Sequence, residues 1–398
     1  MERELDLTIL MPCLDEAETL AACIHKAKKG LEESGLRGEI LIADNGSRDD
    51  SPKIAEKEGA RVVHVAARGY GSALRAGVEA ARGRWIIMAD ADDSYDFAHI
   101  ASFIEKLKQG CDLVVGCRLP AGGGTIMPGA MPWLHRWLGN PVLSGIGRLF
   151  FASPVRDFHC GMRAFSRDAF KQMELQTTGM EFASEMVIQS TLKKLRISEV
   201  PITLHPDGRS HPPHLKTWRD GWRHLRFMLL FTPRWLFLYP GIALALFGLV
   251  TLLLLARGPV HWHGATLDTG SLATAGTLIL IGNQLMTFAF FTKVFAMGEG
   301  LLPQDQKFSK WFSILNLERG LFVGFAVLAC GCALLARAWL IWRHADFGPI
   351  SYPENLRRVI PAGILITLGI QVVFSSFFMS VLGLRTMKRT PPQRFQKK

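Results

Sequence analysis

The sequence lacks several features that would assign it quickly. Its seven cysteines are odd in number and contain no CxxC pair, which argues against a disulfide framework or a zinc site and suits a reducing compartment. No GxxxxGK[ST] loop occurs, and no GxGxxG follows the first apolar run, so the usual phosphate-binding signatures are missing. The opening stretch, MERELDLTILMPCLDEAETL, is acidic and soon turns polar. It does not read as a signal peptide, which leaves the N-terminal half on the side where it is made. Positions 385–398 contain no acid, only the basic residues Arg385, Lys388, Arg389, Arg394, Lys397 and Lys398 among polar and apolar neighbours.

Apolar residues are abundant, at 48% of 398, in a chain of formal net charge +11. They concentrate in 236–256, 271–292, 320–342 and 359–384. Each stretch is near or above the ~20 residues an α-helix needs to cross a bilayer core, and four in succession predict four spans. An even number of spans returns the chain to its starting side, and the acid-free tail has the basic bias of a cytoplasmic end. The 257–270 loop, with Arg257 as its sole Arg or Lys, fits the far side; the other far-side loop, with Arg343, Arg357 and Arg358, fits less well. An integral membrane protein is expected, with its N-terminal domain and both termini cytoplasmic.

The N-terminal part alternates two periodicities. Runs at 7–12, 39–44, 61–65, 85–90 and 112–116 have strand length and β-branched content, while 16–34, 49–58, 70–82 and 97–108 show helical spacing. This predicts an α/β fold, a mostly parallel sheet covered by helices on both faces, whose ligands gather at the carboxyl ends of the strands. Acids collect there: Asp15 and Glu16 after the first strand, Asp44 at the end of the second, and Asp90 and Asp92 after the fourth.

Cap and turn roles account well for Asp49, Ser51 and Asp96, and poorly for Asp90 and Asp92 together. Alternate residues of an extended segment share a face, and two unit charges ~4 Å apart repel by roughly 4 kcal/mol at an effective dielectric near 20. Either one is protonated or a cation sits between them. Carboxylates select hard divalent ions such as Mg²⁺ or Mn²⁺, which complete their shell with water and substrate phosphates. That points to a nucleotide diphosphate. The glycine-rich turn RGYGSALRAG at 68–77 is a weak signal alone.

Together the segments MPCLDEAETL, ADNGSRD, RGYGSALRAG, DAD, VRDFHCGMRAFSR (155–167), GMEFASEM (179–186) and EVPI (199–202) stand in the order found in family 2 glycosyltransferases. Over residues 5–235 the chain most resembles the polyprenyl-phosphate sugar synthases, the dolichyl-phosphate mannosyltransferase-like branch. The resemblance implies a GT-A (Rossmann-like nucleotide-diphospho-sugar transferase) catalytic domain. It also implies metal-dependent, inverting transfer of a hexose from a GDP-mannose or UDP-glucose type of donor to polyprenyl or dolichyl phosphate. By the same resemblance, Asp90 and Asp92 are the DxD pair that grips metal and diphosphate, and Asp44, with Glu16 nearby, contacts base and ribose. Pro12, Asp15, Gly71 and Asp93 complete the expected donor set. Two positions depart from the family pattern: Asp15 stands where Asn is usual, and Ser94 where Gln is frequent. Asp93 or water would then complete the metal shell.

A lipid monophosphate is already ionised at neutral pH, so Asp157 reads equally as a positioning group or a base. With Asp92 and Arg209, the latter placed by analogy with the family's basic loop after EVPI, it makes the expected catalytic set. The segment 208–234 supplies Arg209, Lys216, Arg219, Arg223, Arg226 and Arg234. Its Leu215, Trp218, Trp222, Leu225 and Leu229 recur at helical spacing, which predicts an interfacial helix with an aromatic stripe beside a basic one. Arg118 and Arg136, in the Gly/Pro-rich stretch 118–140, are expected to contact the lipid phosphate. Glu181 and Glu185 share a helical face, where a bond to Arg163 is as open as catalysis.

The expected layout is a catalytic domain over 1–207, a juxtamembrane amphipathic segment over 208–235, four spans over 236–384 and a basic tail over 385–398. The expected partners are a nucleotide sugar, polyprenyl phosphate and the bilayer, with no nucleic acid and the oligomeric state open. Two other readings compete. A processive polysaccharide synthase would normally carry QxxRW, which is absent. A non-catalytic membrane scaffold or translocation partner that kept the fold would not need both DxD carboxylates.

Overall fold

The computed structural model describes residues 5–210, 217–303, 308 and 317–388. Leu215, Lys216, the basic positions from 389 onward and the side chains of Arg385 and Lys388 lie outside the described residues. Two compact units divide the chain, Met1–Met228 and Leu229–Lys398.

The first unit begins with the anticipated alternation: β1 (Leu5–Cys13), α1 (Leu20–Ser34), β2 (Gly38–Asp44), α2 (Ser51–Lys57), β3 (Arg61–His64), α3 (Tyr70–Ala80), β4 (Gly83–Met88), α4 (Ala101–Lys108) and β5 (Leu113–Cys117). It continues through β6 (Thr125–Ile126), α5 (Asn140–Phe151), β7 (Arg163–Ser166), α6 (Arg167–Met173), α7 (Phe182–Leu192), β8 (Ile197–Pro201), β9 (Thr203–Leu204) and α8 (Thr217–Leu230). The main sheet runs β3-β2-β1-β4-β7-β5-β8, parallel except for β7, which is antiparallel to both neighbours. Only four residues long, β7 carries no alternation that marks it as a strand in the sequence.

Central β1 is buried on both sides, with Leu7, Ile9, Leu10 and Met11 fully inaccessible, as a strand covered by helices on both faces requires. Thr8, buried among them, donates to Glu39 at 3.0 Å and accepts from the Gly83 amide at 2.9 Å, so its hydroxyl is satisfied. Two helices start later than their spacing predicts. Residues 16–19 form a turn closed on the Glu16 carbonyl, which leaves Asp15 and Glu16 at the sheet edge before α1 begins. Phe97–His99 is a single 3-10 turn whose cap is Asp96, accepting from the Ala98 amide at 2.9 Å, so Asp96 has the cap role anticipated for it.

Among its described residues the second unit has four helices long and apolar enough to cross a bilayer, at Arg234–Leu255, Thr269–Gly298, Leu317–His344 and Tyr352–Leu382. Small residues at heptad spacing set their packing: Gly241 and Gly248 in the first, Ala275, Gly282 and Ala289 in the second, Gly324 and Gly331 in the third. A Cβ at Gly248 would fall 2.6 Å from the Ala275 carbonyl, and one at Gly331 2.7 Å from the Ile366 amide nitrogen. Such close backbone approach supplies the van der Waals contact that holds helices together in lipid. Asn283 donates to Gln371 at 2.8 Å and links the second helix to the fourth, the interhelical role expected of a membrane-embedded amide. Arg357, inside the fourth of these helices, pairs with Asp268 just before the second.

Replacing Gly331 with leucine should force the third and fourth helices apart at a cost of about 1–3 kcal/mol. A lowered unfolding temperature of the detergent-solubilised protein, absent in Gly363→Leu where the added Cβ meets open space, checks this.

Candidate active site

The ends of β1, β2 and β4 open onto a cleft of about 560 Å³, within the ordinary range for a small-molecule site. Pro12 lines it from the end of β1, Asp15 and Glu16 from the loop after β1, Asn45, Gly46 and Arg48 from the loop after β2, and Asp90, Ala91 and Asp92 from the loop after β4. Arg68, Gly69 and Tyr70 close one side, Gly179 and Met180 another, and Arg209, Arg219, Asp220 and Arg223 a third.

Asp90 is the most constrained of these groups. The Tyr70 hydroxyl donates to one of its oxygens at 2.9 Å, and a Cβ on Gly161 would fall 2.7 Å from the other, so only glycine leaves room there. Burial, then the neighbouring charge of Asp92, pushes the Asp90 carboxyl up from 3.8 to about 6. Asp92 is held differently. Its Oδ1 accepts from the Ser94 amide at 3.1 Å and hydroxyl at 2.5 Å, and its Oδ2 faces Arg209 at 3.0 Å. Ser94, at the place where the family often has Gln, therefore spends its hydroxyl on Asp92.

Arg209 occupies the space between the carboxylates. It reaches Glu16 and Asp92 at 3.0 Å each and Asp207 at 2.9 Å, while the Gly208 amide bonds the Asp92 carbonyl at 3.0 Å. A positive charge thus stands where repulsion between acids calls for one. Among the described residues no group of three or more His, Cys, Asp or Glu is arranged to hold a metal. Two carboxylates in a cleft nevertheless fit a hard dication that takes its other ligands from water and a diphosphate.

Asp15 adopts a left-handed conformation, φ 57°, and caps the Arg48 amide at 2.7 Å. Asn and Asp are the residues other than glycine that best tolerate this region, which explains why Asp serves where Asn is usual. Asp44 lies just behind the cleft wall. Burial opposes its charge, but bonds from Ser47, His64 and Gly46 outweigh it and hold the carboxyl below its usual range. It shapes the turn at 45–47, and the cleft meets Asn45, Gly46 and Arg48 instead.

Four other expected site residues are placed differently from their anticipated roles. Asp93, at φ 63°, turns out of the cleft and pairs with Lys26 at 2.7 Å, so it does not join Asp90 and Asp92. The Gly71 and Ser72 amides both donate to the Thr178 carbonyl, at 3.0 and 3.3 Å, so the start of α3 is no phosphate cradle. Glycine at 71 instead lets the 177–180 loop approach: a Cβ would lie 2.6 Å from the Thr177 carbonyl. Arg118 and Asp157 form a buried bidentate pair, both side-chain contacts at 2.8 Å, with the Arg118 amide adding a third at 3.0 Å. Burial opposes the Asp157 charge and Arg118 overcomes it, which holds the carboxyl below its usual range. Arg118 is thereby spent internally and Asp157 has no free oxygen to act as a base.

Arg136 lies over the Trp137 ring, 5.5 Å from its centroid, beside exposed Trp133, Trp137 and Leu138. Glu185 pins the 176–177 backbone, and Arg163 donates to the carbonyls of Phe158, Cys160 and Ala183, so these two do not pair. Sequence reasoning missed Tyr70, Asn45, Arg48, Arg68 and Met180. Tyr70 had one usable signal: a hydroxyl at the first position of a helix whose neighbours are glycine.

An α/β sheet with paired carboxylates beyond β4 is thus followed, among the described residues, by four helices long and apolar enough to cross a membrane. Residues 8–174 match the domain described as glycosyl transferase family 2, and residues 290–383 the glycosyltransferase family 2 C-terminal transmembrane region. The chain is 39% identical over 379 residues to the low-salt glycan biosynthesis hexosyltransferase Agl6 of Haloferax volcanii, covering 95% of this chain and 89% of that protein. It is 30% identical over 198 residues to the dolichyl-phosphate hexose transferase of the same organism, covering 50% of this chain and 82% of that one. A solved glucosyl-3-phosphoglycerate synthase from Mycobacterium tuberculosis aligns with TM-score 0.45 at 20% identity, covering 56% of this chain and 79% of the other. The chain belongs to glycosyltransferase family 2: it is an integral membrane glycosyltransferase with a GT-A type catalytic sheet.

Two outcomes follow from the geometry. Because the Asp90 pKa is raised on folding, the native state holds that proton more tightly, and ionisation costs stability that is fully lost only above pH 6. Asp90→Asn should therefore raise the metal-free unfolding temperature by a few degrees at pH 7.5, with the gap closing as pH falls toward 4, in a pH series of melting curves. Arg118→Leu should cost about 3–5 kcal/mol, because it strands a buried carboxylate, and adding Asp157→Leu should restore part of the loss. Denaturant titration of the two variants measures the difference.

Proposed function

We propose that the chain transfers a hexose, with inversion, from a nucleoside-diphosphate sugar to a polyprenyl or dolichyl phosphate at the cytoplasmic face of a membrane. The observation that carries this reading is the placement of Asp90 and Asp92 beside Arg209 in one cleft, on a chain that also supplies a basic, tryptophan-bearing helix and four spans. A divalent cation, Mg²⁺ or Mn²⁺, bound by Asp90 and Asp92 would neutralise the leaving diphosphate.

The remaining steps fall to the protein's own groups. Pro12, Asp15 and Glu16 border the nucleoside end, with Arg48 and Arg68 close enough to the cleft to meet phosphate oxygens. Arg209 is poised to exchange its carboxylate partners for the leaving phosphates. Gly179 and Met180, fixed by the contact of their loop with α3, bound the sugar end. An ionised phosphate acceptor needs orientation and exclusion of water more than proton removal, which agrees with an Asp157 fully engaged by Arg118. A scaffold role is disfavoured by the same charges, since keeping Asp90 buried next to Asp92 is costly and serves nothing without a ligand.

Purified protein with polyprenyl phosphate, Mg²⁺ or Mn²⁺ and a panel of radiolabelled GDP- and UDP-sugars should yield a labelled lipid from one donor class. Asp92→Ala should lower that rate by roughly 10²–10³-fold, the order expected for losing a group that stabilises transition-state charge. No labelled lipid from any donor would overturn the reading.

A further inference from the structure

Of the cations expected to receive the acceptor phosphate, Arg118 is bound to buried Asp157 and Arg136 is not among the residues that line the cleft. Another pair is. Arg219 and Arg223 sit one turn apart on α8, both line the cleft, and their side chains are 57% and 42% exposed. Each contacts the single carboxylate of Asp220 only distantly, at 3.7 and 3.6 Å. Two guanidinium groups against one acid leave a positive wall, with Asp90, Asp92 and Glu16 elsewhere around the same cleft.

Helix α8 has three faces. Asp220, His224 and Met228 are buried, with the His224 ring bonded to the Ser184 hydroxyl at 2.8 Å and edge-on to His159 at 4.6 Å. That stripe fixes the helix on the catalytic unit. On the opposite side Trp218 and Trp222 are 82% and 58% exposed, a pattern suited to the head-group layer of a bilayer. Arg219 and Arg223 lie between the two, on the side of the helix that lines the cleft.

We infer that Arg219 and Arg223 form the binding site for the phosphate monoester of the acceptor. The inference rests on the proposed function for the identity of the acceptor. Two guanidinium groups one helical turn apart can each offer a planar pair of N–H donors to phosphate oxygens.

The test uses the full chain in nanodiscs of neutral lipid. Binding of farnesyl phosphate, a short soluble prenyl phosphate, is measured by calorimetry, and acceptor KM is measured with both farnesyl phosphate and a long polyprenyl phosphate. Arg219→Gln with Arg223→Gln should weaken farnesyl phosphate binding and raise both acceptor KM values at least tenfold, while the donor KM changes less than twofold. Arg226→Gln, on the same helix but outside the cleft lining, should leave all of these unchanged. Equal loss in Arg226→Gln, or an effect confined to the long-chain acceptor, would mean general membrane attraction and would overturn the site. Unaltered binding in the double variant, or no farnesyl phosphate binding by the wild type, would also overturn it. Arginine-dependent binding without any hexose transfer would instead reject the proposed function and leave the phosphate site standing.

Discussion

The cleft is organised by negative charge that the fold cannot hold without compensation. Asp90 and Asp92 stand beyond β4, out of bulk water, and after burial itself the charge of Asp92 is what most disfavours ionisation of Asp90. Their surroundings answer that cost in separate ways: Tyr70 donates to Asp90, Ser94 donates twice to Asp92, and Arg209 bridges Asp92 and Glu16. The last of these reaches furthest through the sequence. It draws the loop after β9 across the sheet edge, where the Gly208 amide bonds the Asp92 carbonyl and the His205 amide the Ser94 carbonyl, both at 3.0 Å. The loop after β9 is therefore held across the sheet edge by charge as well as by its backbone amides.

Beneath this layer lies a second, wholly internal one. Arg118 and Asp157 neutralise each other, Arg118 reaches the Tyr95 hydroxyl at 3.4 Å, and that hydroxyl accepts from the Gly161 amide at 2.9 Å. Gly161 is the residue against which Asp90 packs. The buried pair thus acts on the site through the backbone it braces. A paired guanidinium of this kind costs more to disturb than to keep, since removing one partner strands the other in a poorly solvated interior. Chemistry that requires no general base is compatible with committing both charges to this support.

Much of the sheet was legible because strand and helix carry different periods, and β1 to β5 fall within a residue or two of the runs that announce them. The acidic edge was legible because parallel strands must deliver their following residues to one side. Several side chains sit away from their expected neighbours, and there the deciding fact was a partner distant in sequence or a backbone angle. Nothing local to Arg118 reveals Asp157, and nothing in the run ADADD shows that φ 63° at Asp93 turns its side chain toward Lys26. Gly71 looked like a phosphate contact because glycine at a strand-to-helix turn serves two purposes, approach of a ligand and approach of another backbone. Here the backbone at Thr178 took the place. The antiparallel β7 was silent for a different reason, since four residues paired on both sides need no pattern of their own.

Helix α8 shows how a correct pattern can still be incomplete. Its tryptophan and arginine stripes are visible in the sequence, and two stripes suffice for a helix lying on a membrane. The third stripe contains Asp220 and His224, which look solvated by composition yet are buried against the catalytic unit. Burial, reinforced by unfavourable interaction with Arg163, pushes the His224 imidazole down to about 4 despite the opposing pull of Glu181 and Asp220, so the ring is neutral near pH 7. A neutral ring bonded to Ser184 can dock where an imidazolium would not. A helix that only anchored a protein to lipid would gain more from leucine at these positions. Polar groups buried on α8 orient it, and orientation matters to a helix whose neighbouring face lines a cleft. The same element therefore carries both the exposed tryptophan stripe and the charged wall of the site, and its rotational setting is fixed by contacts that hydropathy alone assigns to solvent.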